Sequence, residues 1–484
     1  MSADLKQQTI RGLIWSAIEK FGVKIISFLS NIFLARMLSP DDYGCIGMLA
    51  IFISISNAFI YGGFSSALIQ KKNTTEEDYS TVFYWNLTIS IIFYFLLFFF
   101  APVIADFYKI PLLSDVLRVQ GIILIINALC IIQITLLKKN LDFKKIASIN
   151  VISSFLSLVI ALICAYLDFG VWTLVLQQLC CGVVSVSLLW VKSNWRPCWV
   201  FSKKSFKELF SYGSFQLLSE LLNSFVDNVQ GLIIGRKFSA ETMGYYSQAK
   251  KLEEIPTTSI SQIVQQVSFP VFSKIQDDKD KLYAAVKKSL SSMNFINIPL
   301  MVLLFIIAEP LIVVLFSDKW LPSVPYFRIL CIAGIVNCAQ SVNYQVVAAS
   351  GRSKDIFKWN VVKRITGIIL IVGSIKFGVT GILYAMTIGF YFTYIVNAIV
   401  ATQTTGYTIF AQIKDTLPIM LVSILSAVIP WLIGNMDFNY IALLCLQVVV
   451  FVVSYGILSK IFKIQALSEY VDIIKGIVRN RKND

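Results

Sequence analysis

The sequence predicts an all-α polytopic membrane protein with about 14 transmembrane helices, arranged as two six-helix lobes related by an internal repeat plus a C-terminal helix pair. Three observations carry this expectation. Of 484 residues, 57% are hydrophobic and 14% charged, against about 25% charged in a soluble domain, and the mean hydropathy is +0.73. The apolar residues fall in runs of about 20, the length that spans a bilayer as a helix. The 42 Lys and Arg are distributed unevenly between successive connections.

In chain order, the N-lobe spans run Leu13 to Met37, Tyr43 to Ile69, Val82 to Ile104, Val116 to Leu137, Ala147 to Leu167 and Val171 to Val191. Those of the C-lobe run Phe210 to Ile234, Met243 to Phe272, Asn294 to Phe316, Tyr326 to Ala349, Lys358 to Ile375 and Val379 to Ala401. A last pair covers Leu417 to Gly434 and Ile441 to Leu458. The expected divisions are 1–205 for the N-lobe with its basic connector, 206–405 for the C-lobe, 406–460 for the extra pair and 461–484 for a basic amphipathic tail. Connections of about 15 residues leave no room for a tethered soluble enzyme domain. Met1 to Arg11 is polar, and the first apolar run carries Glu19, Lys20 and Lys24, so it reads as a retained span and not as a cleaved signal.

Alternating the sides from a cytoplasmic N-terminus places most Lys and Arg inside, including Lys71-Lys72, Lys138-Lys139, Lys144-Lys145, Lys203-Lys204 and Arg352 with Lys354. The positive-inside rule then puts both termini in the cytoplasm. The net charge of +14 thus follows the membrane and does not point to nucleic acid. In the tail, Leu467, Tyr470, Val471, Ile474 and Ile477 recur at helical spacing among basic residues, the pattern of a helix lying on an anionic leaflet.

The inventory removes whole classes of chemistry. There is no histidine, which excludes Ser-His-Asp triads and His-ligated zinc. None of the nine cysteines has Cys-x-x-Cys spacing, and no nucleotide-binding loop appears. No catalytic group, cofactor or metal site is expected.

The segment Leu34-Ala35-Arg36-Met37-Leu38-Ser39-Pro40-Asp41-Asp42-Tyr43-Gly44 returns about 200 residues later as Ile234-Gly235-Arg236-Lys237-Phe238-Ser239-Ala240-Glu241-Thr242-Met243-Gly244. Arg, Ser, an acid and Gly keep their spacing. Phe169-Gly170-Val171 likewise returns as Phe377-Gly378-Val379. Equivalent helices lie an even number of spans apart, so the copies share an orientation. Ser39 and Ser239 are placed to cap the following helices, Pro40 suits a first helical position, and Asp41 and Glu241 complement its positive end.

Together with the start Gly12-Leu13-Ile14-Trp15-Ser16 and the continuation Gly244-Tyr245-Tyr246-Ser247-Gln248-Ala249, these segments resemble the Wzx-type oligosaccharide flippases, or polysaccharide exporters, of the multidrug/oligosaccharidyl-lipid/polysaccharide exporter superfamily. The resemblance covers residue 5 to about 460. It implies lobes around a central cavity that opens alternately to either side. It also implies translocation of undecaprenyl-pyrophosphate-linked oligosaccharide repeat units across the bacterial inner membrane, for O-antigen, capsule or exopolysaccharide assembly. A polysaccharide polymerase and a chain-length regulator are partners implied in the same way.

Charged side chains inside spans are costly and normally face a cavity or one another. Here they concentrate in the first helix of the N-lobe and the first two helices of the C-lobe. The substrate-binding candidates are Lys20, Lys24, Asn31, Asn223, Asn228, Lys250, Lys251, Gln262 and Gln265. Ammonium groups suit a diphosphate, and amides suit sugar hydroxyls. Glu19, Glu220, Asp227 and Glu254 are the candidates for coupling to H+ or Na+. Glu220, Asn223 and Asp227 share a helix face, as do Lys20 with Lys24 and Lys250 with Glu254. Snorkelling of Glu19 and Lys20, or internal pairing of Lys250 with Glu254, is the competing structural reading. The alternative functions are a cation or drug antiporter, a membrane polysaccharide polymerase and a scaffold without transport.

Overall fold

The structure, a computed structural model, describes residues 3–71, 73–436, 438–468 and 470. Val471, Ile474 and Ile477 of the expected tail helix lie outside the described residues, as do the side chains of Glu19 and Lys20.

The described residues are mostly helical, with no strand among them. A bilayer offers no water to solvate a peptide group, so a spanning segment must satisfy its backbone internally. In order the helices are α1 (Ala3–Met37), α2 (Pro40–Tyr61), α3 (Phe64–Gln70), α4 (Glu76–Tyr108), α5 (Leu112–Gln120), α6 (Ile122–Lys139), α7 (Phe143–Tyr166), α8 (Val171–Lys192) and α9 (Lys203–Lys237). They continue with α10 (Ala240–Lys274), α11 (Lys279–Ile306), α12 (Ala308–Phe316), α13 (Val324–Gly334), α14 (Asn337–Ala349), α15 (Ser353–Ser374), α16 (Gly378–Thr405), α17 (Ile409–Ile433) and α18 (Tyr440–Ile461). Every apolar run singled out in the sequence falls on one of these helices or on a consecutive pair. Among the described residues, 10 helical stretches are long and apolar enough to cross a membrane. The 35-residue helices α1, α9 and α10 are long enough but are rich in charged and amide side chains.

Breaks within runs have local causes. Between α2 and α3, Gly62 and Gly63 take φ values of 46° and 72°, which residues bearing a Cβ rarely adopt. Gly63 also sits against the backbone of Gly213 on α9, so the break presses two main chains together. Thr75 and Asp78 form a reciprocal capping box at the start of α4.

The chain divides into two compact units, Met1–Gly244 and Tyr245–Asp484. In the first, α1 packs on α7, α7 on α8, α2 on α9 and α4 on α5 and α6. In the second, α11 packs on α17, α15 and α14 on α16, and α17 on α18. There, Leu282, Val286, Val342, Val346, Ala401 and Tyr407 close one buried cluster. Large apolar side chains such as Ile92, Phe95, Phe99 and Val103 on α4 are exposed. These residues recur every three or four positions and suit a lipid-facing stripe.

One polar assembly ties the first unit together outside the apolar runs. The Lys71 ammonium donates to Asp78 and to Glu208 of α9, both at 3.1 Å, and Asp78 is 1% exposed. Lys139 donates to the carbonyls of Leu68 and Lys71 and to the Thr74 hydroxyl. The connector after α8 lies on α4: the Trp195 indole donates to Glu76, and the Cys198 and Ser202 amides donate to Ser80 and Thr81. Burial lowers the affinity of Lys71 for its proton, but the hydrogen bonds to Glu208 and Asp78 outweigh it and hold the ammonium above the usual lysine range. A raised folded-state value means that this contribution is complete below the ordinary lysine value of 10.5 and lost as pH rises through the folded value. Lys71→Met is therefore expected to lower the melting temperature by about 2–4 °C at neutral pH. Melts of both proteins at increasing pH check this: the gap should narrow above the lysine range, and a gap independent of pH would contradict the assignment.

Candidate functional site

The repeated segment builds two equivalent helix starts. Ser39 caps α2, accepting from the Asp42 amide at 3.3 Å while the Asp42 carboxylate accepts from the Ser39 amide at 2.9 Å. Ser239 caps α10, accepting from the Thr242 amide at 3.1 Å. Pro40 stands in the first turn, as its missing N–H allows. The repeated glycines have a further cause. A Cβ on Gly44 would overlap the Ala240 carbonyl, and one on Gly244 would overlap the carbonyl of Pro40. The two helix starts thus cross backbone to backbone, each copy supplying the glycine that admits the other.

The charged helices present their polar groups in stripes. On α9, Glu220, Asn223 and Asp227 are all exposed, and at 100° per residue they share one face. Leu218, Leu222 and Phe225 are exposed too, and that spacing sets them about 180° around the helix from the carboxylates. A helix with an exposed apolar face and an exposed acidic face opposite has one side suited to lipid and one suited to water. Asn228 lies beside the acidic stripe, half-buried, its amide donating to the Ser224 carbonyl at 2.8 Å.

On α10, Lys251, Glu254, Thr258, Gln262 and Gln265 are exposed along a single stripe. Lys250 pairs with Glu254 at 3.7 Å, the internal partner that the spacing had offered as a competing reading, and the Thr258 hydroxyl donates to the Glu254 carbonyl. On α1, half-buried Lys24 and Asn31 share a face. The exposed Ile25, Leu29 and Phe33 lie around the other side of that helix. Of the coupling candidates, Glu220, Asp227 and Glu254 are therefore exposed on polar stripes, and Glu254 already has an ion-pair partner.

Reading the residues alone missed three polar features. Thr258 completes the α10 stripe. Lys71 is the hub of the assembly that joins α3, α4 and α9. Lys363, within α15, donates to the side-chain oxygen Oδ1 of Asn397 at 2.8 Å. The adjacent Lys363 and Arg364 inside an apolar run were a sequence signal, masked by averaging hydropathy over the span. No group of three or more His, Cys, Asp or Glu placed to hold a metal ion occurs among the described residues.

Comparison with known proteins decides the family. Residues 33–325 match the family described as "Polysaccharide biosynthesis protein", which is more than half of the chain. The chain belongs to this family. Among its curated relatives, the teichuronic acid biosynthesis protein TuaB of Bacillus subtilis (strain 168) is 27% identical over 84% of this chain and 84% of its own length. The lipopolysaccharide biosynthesis protein WzxC of Escherichia coli (strain K12) is 24% identical over 82% of this chain and 80% of its own. Among solved structures, the lipid II flippase MurJ in an inward closed conformation superposes with a TM-score of 0.77 at 19% identity, covering 95% of this chain and 100% of that one. At that identity the likeness is one of fold. These comparisons bear out the resemblance to the Wzx-type polysaccharide exporters.

Proposed function

We propose that this polysaccharide biosynthesis family member is a flippase that carries undecaprenyl-pyrophosphate-linked oligosaccharide repeat units across the bacterial inner membrane by alternating access. Fourteen crossings with both termini cytoplasmic are part of the same proposal, supported by the distribution of Lys and Arg. One observation carries it. Exposed Glu220, Asn223 and Asp227 stand opposite exposed Leu218, Leu222 and Phe225 on one long helix of a membrane protein. Exposed carboxylates and amides on such a helix can meet water or a polar cargo, and a glycan offers hydroxyl donors to the carboxylates and both donors and acceptors to the amides. Lys20, Lys24, Lys250 and Lys251 supply ammonium point charges for a diphosphate. Lysine holds such a group without the bidentate geometry that would oppose release. Glu19, Glu220, Asp227 and Glu254 remain the groups proposed to couple transport to H+ or Na+. A polymerase and a chain-length regulator are the proposed partners that take over the exported repeat unit.

Depletion of the protein from its host tests this reading. Completed, unpolymerised lipid-linked repeat units should accumulate in lipid extracts, as read by mass spectrometry. Wild type should reverse the accumulation, and Lys20→Ala combined with Lys24→Ala should not. Unchanged lipids together with reduced efflux of a lipophilic cation would instead establish the antiporter alternative.

A further inference from the structure

A second cationic site lies apart from the polar stripes, in the cleft between α14, α15 and α16. Its centre is Lys363, 11 residues beyond Arg352 at the start of α15, a distance of roughly 16 Å along the helix. An ammonium at that depth is costly unless it meets an anion. Among the described residues, the hydrogen-bond partner of Lys363 is a neutral amide: its Nζ donates to Asn397 Oδ1 at 2.8 Å. Asn397 is oriented for this role because its own Nδ2 donates to the Gln340 carbonyl at 3.2 Å. No ion pair joins Lys363 to a carboxylate among the described residues.

The cleft beside this ammonium is lined by Tyr344, Val347, Asp355, Trp359, Lys363 and Asn397, among others. Asp355 is the acid in that wall, and Arg352 binds it at 2.7 Å while also donating to Gln403 and Thr404 on α16. The wall is therefore neutral where it would otherwise repel an anion. At the same end of α15, exposed Lys354 and Lys358 stand about 180° and 140° around the helix from Lys363, so they add positive charge to that end of the helix without lining the cleft. The free space inside is about 10 Å³, room for one water-sized group. An anion that enters does so by one oxygen, with the rest of its headgroup at the mouth.

We propose that this cleft binds the phosphate of an anionic membrane lipid, with Lys363 donating to a phosphate oxygen and the rest of the headgroup lying at the mouth. The chemistry agrees at each point. Basic residues at the membrane end of a helix attract anionic headgroups. Trp359 and Tyr344 are the ring types that settle at the lipid–water boundary, and Lys363 keeps two ammonium protons for an incoming oxygen. A phospholipid and a polyprenyl diphosphate both present such a phosphate. The site is independent of the transport reading, since it requires binding and not translocation.

Native mass spectrometry of the full chain in detergent tests the assignment, with phosphatidylglycerol and phosphatidylcholine titrated separately. Wild type should retain phosphatidylglycerol in preference to phosphatidylcholine. Lys363→Met should weaken the tightest phosphatidylglycerol adduct about tenfold, the loss of one charge-assisted hydrogen bond. Lys363→Arg should keep the preference, which separates lost charge from lost folding. Competition with undecaprenyl diphosphate identifies the source: displacement of phosphatidylglycerol marks the carrier lipid as occupant, retention marks a membrane phospholipid, and both uphold the phosphate site. Equal binding of the two phospholipids by wild type, or unchanged phosphatidylglycerol binding by Lys363→Met, would overturn it.

Discussion

Gly44→Val combined with Gly244→Val is expected to prevent accumulation of folded protein. At each position a Cβ would overlap a main-chain carbonyl oxygen of the facing helix, and a carbonyl cannot rotate aside as a side chain can. The α2 and α10 starts would have to separate, breaking a contact that depends on close backbone approach. Overpacking costs about 1–3 kcal/mol per site and sometimes more, so the pair approaches the whole stability of a marginal domain, ~5–15 kcal/mol. Gly44→Ala alone should already lower the melting temperature in detergent, and Gly373→Ala, whose Cβ would meet nothing within 4 Å, should not. Melting curves and membrane abundance of the variants read the effect. A double valine variant that melted like wild type would show that the two helix starts do not cross in this way.

The second large effect belongs to the α9 stripe. Glu220→Ala, Asn223→Ala and Asp227→Ala together are expected to cut translocation by about a hundredfold, the loss of two or more hydrogen bonds involving charged groups. All three side chains are exposed, so the melting temperature should move little. The matching control is Leu218→Ala with Leu222→Ala on the opposite side, which should leave translocation near wild type. The isosteric pair Glu220→Gln with Asp227→Asn then separates binding from coupling. If these carboxylates carry a coupling proton, the pair loses the dependence of transport on the ion gradient, whereas a transport rate unchanged by the pair would remove both from that role. A triple alanine variant with wild-type transport would remove the stripe from the substrate path.

Much of this architecture is legible in the residues because membrane helices obey one-dimensional rules. Apolar length places the helices, and Ser39 and Ser239 declare two helix starts through capping chemistry that depends only on near neighbours. Lys250 and Glu254 pair along a single helix, as their spacing allows. What sequence spacing leaves open is tertiary. The repeat shows that Gly44 and Gly244 correspond, but only the fold shows that each admits the other's helix. Lys71 counts as one more charge in a basic loop until the fold brings Glu208, 137 residues away, to its ammonium. The break at Gly62 and Gly63 is hidden within a continuous apolar run, because hydropathy does not register a main-chain turn. The stripes on α9 and α10 are visible as spacing, but spacing alone does not say which face other helices cover.

Translocation itself is the most direct test of the central claim. The purified chain would be reconstituted into sealed vesicles carrying an undecaprenyl-pyrophosphate-linked oligosaccharide in the outer leaflet, and the glycan that becomes protected from an added membrane-impermeant glycosidase would be followed over time. The account predicts that protection rises in vesicles containing wild type, and that it stays near the protein-free level with the Glu220, Asn223 and Asp227 triple alanine variant. Protection that did not rise above the protein-free level with folded wild-type protein, in the presence of either an H+ or a Na+ gradient, would contradict it.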